Sequence, residues 1–506
     1  MKLRLDRLHW PSMILGLVFA SWPWGTPAKL LGSETPNLTA RSRPASAQMG
    51  KLPHIIHIIA DDLGWHDVGF HGSDIRTPNL DALADQSIVL DRFYVTPICS
   101  PTRAGLLTGR YPFRYGIWSG VVSPTKRHGL PPSEMTTPEY LARAGYERRA
   151  IFGKWHLGLA SKCFHPLNHG FTYFYGHYNG AIDYFSHERF GEVDWHRNDK
   201  TLDEPGYSTD LVAKEAASFI MSHEGEQPFY MVVAFNAPHS PIQAPLDQLK
   251  RYNFDPTGPR APNTDRKIAK RENALDYGEK GKGNTVRQTY AAMVSSLDDN
   301  LGRILEAVEK RGFEEQTLVV FHSDNGGTPT HGGSNRPLRG NKFTTWEGGV
   351  RVVAMIRWPK YLAPARYEGV TAYVDVLPTL LAAAQMKVPK GLDGIDLLPA
   401  LRGTEEPLDR TVLLGEKTVV GSRWKLREGE FFDLHADPNE TSPVSQPPLS
   451  VVKRFRADLK RFEEFRGPKF ESKLPPPKVW PPPGWQLPEE PDASDLSDPK
   501  DQSFFP

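Results

Sequence analysis

An α/β fold with a large, mostly parallel central sheet flanked by helices is predicted, and three observations predict it. Continuous apolar, β-branched runs at Pro53–Ala60, Phe229–Asn236 and Thr317–Phe321 fit strands buried on both faces. Each run leads at once into polar residues: Asp61-Asp62, His239 and Asp324-Asn325. Helix-period segments separate the runs, the longest being Gln288–Arg311, with Met293, Leu297, Leu301, Ile304, Leu305 and Val308 on one stripe. Strand, polar pair, helix, repeated, indicates helices layered on a parallel sheet.

The bulk properties narrow the function. At 506 residues the chain can bury a core larger than one small domain requires. A net charge of +1 gives no global attraction to nucleic acid or an anionic membrane, so an anionic ligand must meet a local cationic site. Two cysteines, Cys99 and Cys163, provide no disulfide framework. Lys2, Arg4 and Arg7 before the short apolar run Met13–Trp22 predict a secretory signal, too short to span a bilayer. Cleavage contexts lie around Gly25–Ala28 and at Ala45-Ser46-Ala47. Residues 1–47 therefore read as signal peptide and lead, which implies export (periplasmic, secreted or lysosomal) and no stable membrane insertion.

Taken in order, Pro53–Ala60 ends in the adjacent carboxylates Asp61 and Asp62, where α/β folds place their sites. Like charges side by side call for a cation, and hard oxygen ligands suit Ca²⁺ or Mg²⁺. A helix opens at Thr77-Pro78, and an apolar run, Ile88–Val95, leads to the Cys99 loop and its helix. Thr137–Ala144 reads as a helix closed by Gly145, followed by the short strand Arg149–Gly153. Lys154 and His156 follow, two apart on an extended stretch, and are expected on one side. The aromatic stretch Phe171–Tyr207 fits either a polar sugar-type pocket or a cover over the core. A helix over Ser208–Ser222 precedes Phe229–Asn236, and residues 251–288 read as an exposed insertion. The strand Thr317–Phe321 ends at Asp324 and Asn325, oxygen donors able to join Asp61 and Asp62 on one metal. A strand over Val352–Ile356 and a helix from Asp375 complete the main region, 48–405.

From Thr411 the pattern changes. Short strands at Thr411–Gly415, Thr418–Val420, Arg423–Leu426 and Glu430–Asp433, then a helix over Leu449–Glu464, predict a small antiparallel sheet under one helix, within 406–470. The Pro-rich tail 471–506 lacks the apolar content for a packed core.

Cys99-Ser100-Pro101-Thr102-Arg103, continued to Arg110, is the stretch around which the rest is arranged. Pro101 suits the first turn of a helix, which places Cys99 beside free N–H groups and the positive end of a dipole. Arg103 adds a planar fork of donors matched to an oxyanion. An inert buried cysteine fits these residues equally well.

Cys-x-Pro-x-Arg followed by Leu-Thr-Gly-Arg resembles the signature of the type I sulfatases. Matching blocks continue at Ala60–Trp65, Gly153–Gly158, Asp324–Gly327, Pro337–Lys342 and Trp346–Arg351, and Asp183–Arg189 with the Leu338 and Trp346 blocks resembles the arylsulfatase B branch. The resemblance implies an alkaline-phosphatase-like fold and a sulfuric ester hydrolase, with Cys99 oxidised to formylglycine by a formylglycine-generating enzyme. It implies that Asp61, Asp62, Cys99, Asp324 and Asn325 bind one divalent cation, Ca²⁺ or Mg²⁺. Arg103 would hold the hydrated aldehyde, Lys154 and Lys342 the sulfate oxygens. His156 would assist sulfate release, and His239 would contact the leaving alcohol. The implied substrates are sulfated glycans with N-acetylgalactosamine 4-sulfate units, or aryl sulfates. A phosphate or phosphonate ester hydrolase of the same superfold, and a non-catalytic sulfated-glycan binder, are the alternatives.

Overall fold

The computed structural model describes residues 50–118, 120–123, 128–189, 191–262, 280–407 and 409–467. The expected signal peptide, the Pro-rich tail and positions 263–279 of the expected insertion lie outside the described residues.

Five parallel strands form the middle of a ten-stranded sheet: β1 (His54–Ala60), β2 (Arg148–Lys154), β3 (Tyr173–His177), β4 (Phe229–Ala234) and β5 (Thr317–Ser323), in the order β5-β1-β4-β2-β3. Antiparallel strands flank them: Ala354–Arg357 beside β5, and His196–Arg197 beside β3. β1 is buried along its whole length because alternate residues serve two cores. Ile55 and Ile59 face one core, Ile56 and Ile58 the other. Two histidines interrupt that apolar run and each is accommodated. His54 stacks on Phe229 at 4.3 Å between ring centres. His57 meets His322 of β5, Nε2 to Nε2 at 2.8 Å, and His322 Nδ1 donates to the Ser323 carbonyl, so His57 is the donor of the pair.

Three helices matter for the site: α1 (Cys99–Thr108), α2 (Ser208–Met221) and α3 (Val286–Lys310). α3 carries the predicted stripe; Met293, Leu297, Leu301, Ile304 and Val308 are buried, and the helix packs on α2. The small C-terminal sheet is present as four antiparallel strands, Val412–Gly415, Thr418–Val420, Trp424–Arg427 and Glu430–Asp433. The helix Leu449–Glu464 lies against it through Phe455, whose ring meets Phe431, while Phe462 packs on Tyr111.

The structure corrects some local expectations. The run Ile88–Val95 is two strands in two sheets, Ile88–Leu90 and Phe93–Tyr94, parted at Asp91-Arg92. Charge is the reason: Asp91 pairs with Arg366, and Arg92 donates to the Gly421 carbonyl. Val352–Ile356 divides likewise into Arg351–Val352 and Ala354–Arg357. Within the aromatic stretch, Tyr175, Tyr178, Tyr184 and Trp195 are buried, and β3 is itself part of the central sheet, so these four rings are core.

Buried histidines make stability depend on pH. Burial holds His54, His165 and His169 down at about 4 and His177 at about 3. An unfolded chain protonates them near 6.5, so it binds more protons in this window than the folded protein. Their contribution is complete above about pH 6.5 and is lost as pH falls toward 4. Asp298 and Asp324, pushed up to about 6 by burial, act in the opposite sense, but His71 and His322, held down at about 4, add to the histidine side. The urea midpoint is expected to fall as buffers go from about pH 7.5 to about 4.5. A level or rising midpoint would contradict this assignment.

Candidate active site

Four strand ends and one helix start converge. β1 delivers Asp61 and Asp62, β2 ends on Lys154, the segment after β4 carries His239, and β5 leads to Asp324 and Asn325. α1 begins at Cys99 itself, with Ile98 as the residue before it. Cys99 is buried, and burial pushes its thiol pKa up although Lys154 and Lys342 pull it down. As an unmodified thiol it stays protonated and is a poor nucleophile.

Arg103, one turn along α1, ties the strand ends together. Its Nε and Nη2 donate to Asp324 Oδ2 at 3.0 and 2.8 Å, Nη2 to Asp61 Oδ2 at 3.3 Å, and Nη1 to the Lys154 carbonyl at 3.1 Å. Lys154 contacts the same Asp61 oxygen. Lys342 Nζ sits 2.6 Å from Asp62 Oδ1, to which Asn325 Nδ2 also donates at 2.7 Å. His239 Nε2 lies 3.8 Å from Asp62 Oδ2. The chain thus brings the residues singled out above to one place; the first turn of α1 reaches His156 directly, Ser100 Oγ donating to the His156 carbonyl at 2.9 Å, and Cys99 and His156 both feel the charges of Lys154 and Asp61.

These surroundings set the charges. Burial alone would raise Asp61 and Asp62, but Lys154 holds Asp61 well below the usual carboxylate range, and Lys342 lowers Asp62. Asp324 is pushed up to about 6 by burial and by the Asp61 carboxylate. Burial opposes the charge on Lys342, yet Asp62 keeps its pKa above the ordinary lysine value. His239 is lowered to about 4 by burial and then Lys342, and His156 far below 6.5 by burial and then Lys154, so both are neutral imidazoles.

The donor set fits a hard cation. Asp61 Oδ1 and Asn325 Oδ1 are buried and accept no hydrogen bond. Such orphaned oxygens are costly unless something positive takes them. Asp61, Asp62 and His239 also present ligand atoms within 4.8 Å of one another. Carboxylate and amide oxygens in this number suit Ca²⁺ or Mg²⁺.

The local backbone is unusual here. Asp62 (φ 64°), His156 (φ 59°) and Phe343 (φ 72°) are all left-handed without being glycine. The expectation that Lys154 and His156 share one side of an extended stretch is therefore corrected: the chain turns at His156. Gly180 leaves room for that ring, since a Cβ there would lie 2.5 Å from His156 Nε2. Gly326 likewise lets the two glycine-rich loops touch; its Cβ would meet the Gly348 carbonyl at 1.9 Å.

Several supporting residues escaped the sequence reading. Ser323 Oγ accepts from Leu63 N–H and donates to the Asn325 carbonyl, linking two of the acidic strand ends. Tyr290 on α3 donates to the Asp62 carbonyl at 3.0 Å. Lys425, Glu347 and Glu440 form a buried charge cluster behind the Lys342 loop. Lone polar residues far apart in sequence carry no pattern by which they could be found; the Trp346–Arg351 block, which includes Glu347, was the one available signal.

Comparison with known proteins agrees with this geometry. The sulfatase family profile matches residues 53–386. Arylsulfatase J of Mus musculus is 33% identical over 397 residues, 76% of this chain and 62% of that protein. N-acetylgalactosamine-6-sulfatase of Mus musculus is 32% identical, with 69% of this chain and 66% of that protein aligned. The chain thus spans somewhat under two thirds of the length of these two relatives. Arylsulfatase A of Bos taurus is 35% identical over 78% of this chain and 80% of its own length. The solved structure of Ps i-CgsB superposes with a TM-score of 0.70 at 29% identity, covering 90% of this chain and 100% of that one. With a matching profile over most of its length and a strand-end site of acids, cations and a helix-start cysteine, the chain belongs to the sulfatase family.

Proposed function

We propose that this protein hydrolyses sulfate esters on glycans, with Cys99 as formylglycine and one divalent cation held by Asp61, Asp62, Asp324, Asn325 and position 99. The single observation that carries this reading is the buried cluster in which Arg103, Lys154 and Lys342 face Asp61, Asp62 and Asp324 beside Cys99. Converted and hydrated, position 99 would present two hydroxyls. One would attack sulfur, losing its proton as the bond from sulfur to the alcohol oxygen breaks and the alcohol leaves. The other would then lose its proton as the carbon–oxygen bond to sulfate breaks, which releases sulfate and restores the aldehyde. The cation would supply positive charge where negative oxygen accumulates.

The chain's own residues do the rest. Arg103 fixes Asp61 and Asp324 and orients position 99 from one turn along α1. Lys154 and Lys342 take the sulfate oxygens, exchanging part of their present pairing with Asp61 and Asp62. His156 is buried and neutral with an unpartnered Nδ1, and the one lone pair that a neutral imidazole keeps would accept a proton as sulfate is released. His239 Nδ1 is 2.6 Å from the Ser240 carbonyl and donates to it, which leaves Nε2 bare in the neutral ring. It can protonate a leaving alcohol only after gaining a proton, and a bound sulfate favours that by offsetting the Lys342 charge.

The substrate we propose is a sulfated N-acetylgalactosamine unit, 4-sulfated on the resemblance of Asp183–Arg189; the 6-sulfated isomer is favoured by the N-acetylgalactosamine-6-sulfatase relatives. Export through residues 1–47 and maturation by a formylglycine-generating enzyme belong to the same proposal, with 48–405 as the catalytic region, 406–470 as a subdomain and 471–506 as a tail. No described helix is long and apolar enough to cross a membrane.

The test is mass spectrometry of the Cys99 peptide after co-expression with the generating enzyme, alongside turnover of 4- and 6-sulfated N-acetylgalactosamine. A loss of about 18 Da and release of sulfate are expected. An intact thiol, with the generating enzyme active on a control, would sink the mechanism. Conversion accompanied by faster turnover of phosphate than sulfate esters would favour the phosphohydrolase.

A further inference from the structure

Phe343 combines two unfavourable features. Its side chain is among the few large apolar groups left exposed, at 66%. Its backbone sits at φ 72°, a region that bulky residues avoid and asparagine or glycine tolerate. Strained residues persist where surrounding structure holds them, and they gather at functional sites. Here the Phe343 N–H donates to the Pro97 carbonyl at 2.8 Å, two residues before Cys99, and the Lys342 N–H donates to the Gly327 carbonyl at 3.3 Å. Both ends of the dipeptide are thus pinned to site loops while the ring points outward.

The position of that ring is informative. Its centre lies 5.4 Å from Lys342 Nζ, which is itself 2.6 Å from Asp62 Oδ1. No other ring or cation among the described residues is packed against it in a stacking or cation–π contact. A sulfate ester held by Lys342 carries its sugar at about this distance. The apolar C–H face of a pyranose is a flat partner for an aromatic ring, and covering the ring removes apolar area from water.

We infer that Phe343 is the sugar-stacking residue at the mouth of the site, contacting the pyranose that bears the sulfate or its neighbour in a sulfated oligosaccharide. The inference rests on the sulfated-glycan reading above. It makes Phe343 a binding determinant for sugar rings, separate from the groups that hold the sulfate.

Calorimetric titration of the unconverted Cys99 protein with a sulfated N-acetylgalactosamine tetrasaccharide tests it, because binding needs no turnover. Phe343→Asn suits the left-handed backbone, so this variant is expected to fold with an unchanged or higher melting temperature. It should weaken Kd about tenfold, while Phe343→Tyr, which keeps a ring, should stay within about twofold. Equal Kd values for the wild type and the Asn variant would overturn the inference, as would absence of tetrasaccharide binding to the wild type. Failure of the converted wild type to release sulfate would instead count against the proposed hydrolysis, whatever the two Kd values show.

Discussion

Replacing Lys425 by methionine is expected to cost about 3–5 kcal/mol of stability, because Glu440 loses its cation and Glu347 keeps only the more distant Arg351, 3.8 Å away. Lys425 lies on the C-terminal strand Trp424–Arg427, fully buried, with its ammonium 2.9 Å from Glu347 Oε1 and 2.8 Å from Glu440 Oε1. Glu440 Oε2 accepts the Glu347 N–H at 2.6 Å, and Tyr94 donates to Glu347 Oε2 at 3.0 Å. Burial and the neighbouring Glu347 push Glu440 up even with the lysine present, so the lysine is what keeps the pair tolerable. Methionine fills most of the volume and removes the charge, which isolates the electrostatic part of the change. Urea unfolding should show a lower midpoint at a similar slope. Adding Glu440→Gln to the variant should recover part of the loss, since the carboxylate that lost its cation is then gone. A Lys425→Met protein as stable as the parent would refute the account.

Lys342→Met should lower the turnover number for a sulfate ester about 10²–10³-fold, the range seen when one preorganised donor to a developing anion is removed. The residue is 4% exposed, so water cannot replace it readily. Asp62 keeps its bond from Asn325 Nδ2, and folding is therefore expected to survive. Lys342→Arg is not expected to rescue the rate, because a planar fork cannot occupy the place of a compact ammonium between Asp62 and the sulfate. Steady-state kinetics on converted protein decides it: a turnover number within about threefold of wild type would remove Lys342 from the proposed role.

The two substitutions act on one loop from opposite sides. Glu347 begins the short helix Glu347–Val350, and Arg339 Nη1 donates to the Glu440 carbonyl at 2.5 Å. Lys342 lies between these anchors, so the small C-terminal sheet contributes to placing a site residue although it carries none itself.

Much of this was legible along the chain. β1, β4 and β5 were visible as apolar runs because a strand buried on both faces must be apolar at nearly every position, and the polar residues at their ends stood out for the same reason. α3 was visible through its stripe, and the C-terminal strands through short alternating runs between turns. The motif blocks contain Asp61, Asp62, Cys99, Arg103, Lys154, His156, Asp324, Asn325 and Lys342, whereas His239 stands out only as a polar residue after the run Phe229–Asn236.

What tertiary structure alone decided are relations between residues far apart in sequence. That Arg103 spans Asp61 and Asp324 depends on β1 and β5 lying side by side. The break at Asp91-Arg92 is set by partners 275 and 329 residues later, not by local propensity. The left-handed turn at His156, the exposed ring of Phe343 and the Lys425–Glu347–Glu440 cluster leave no periodic trace either. Periodicity records which face of an element is buried; it carries nothing about which charge on a distant element will stand opposite, and that pairing is what gives this site its chemistry.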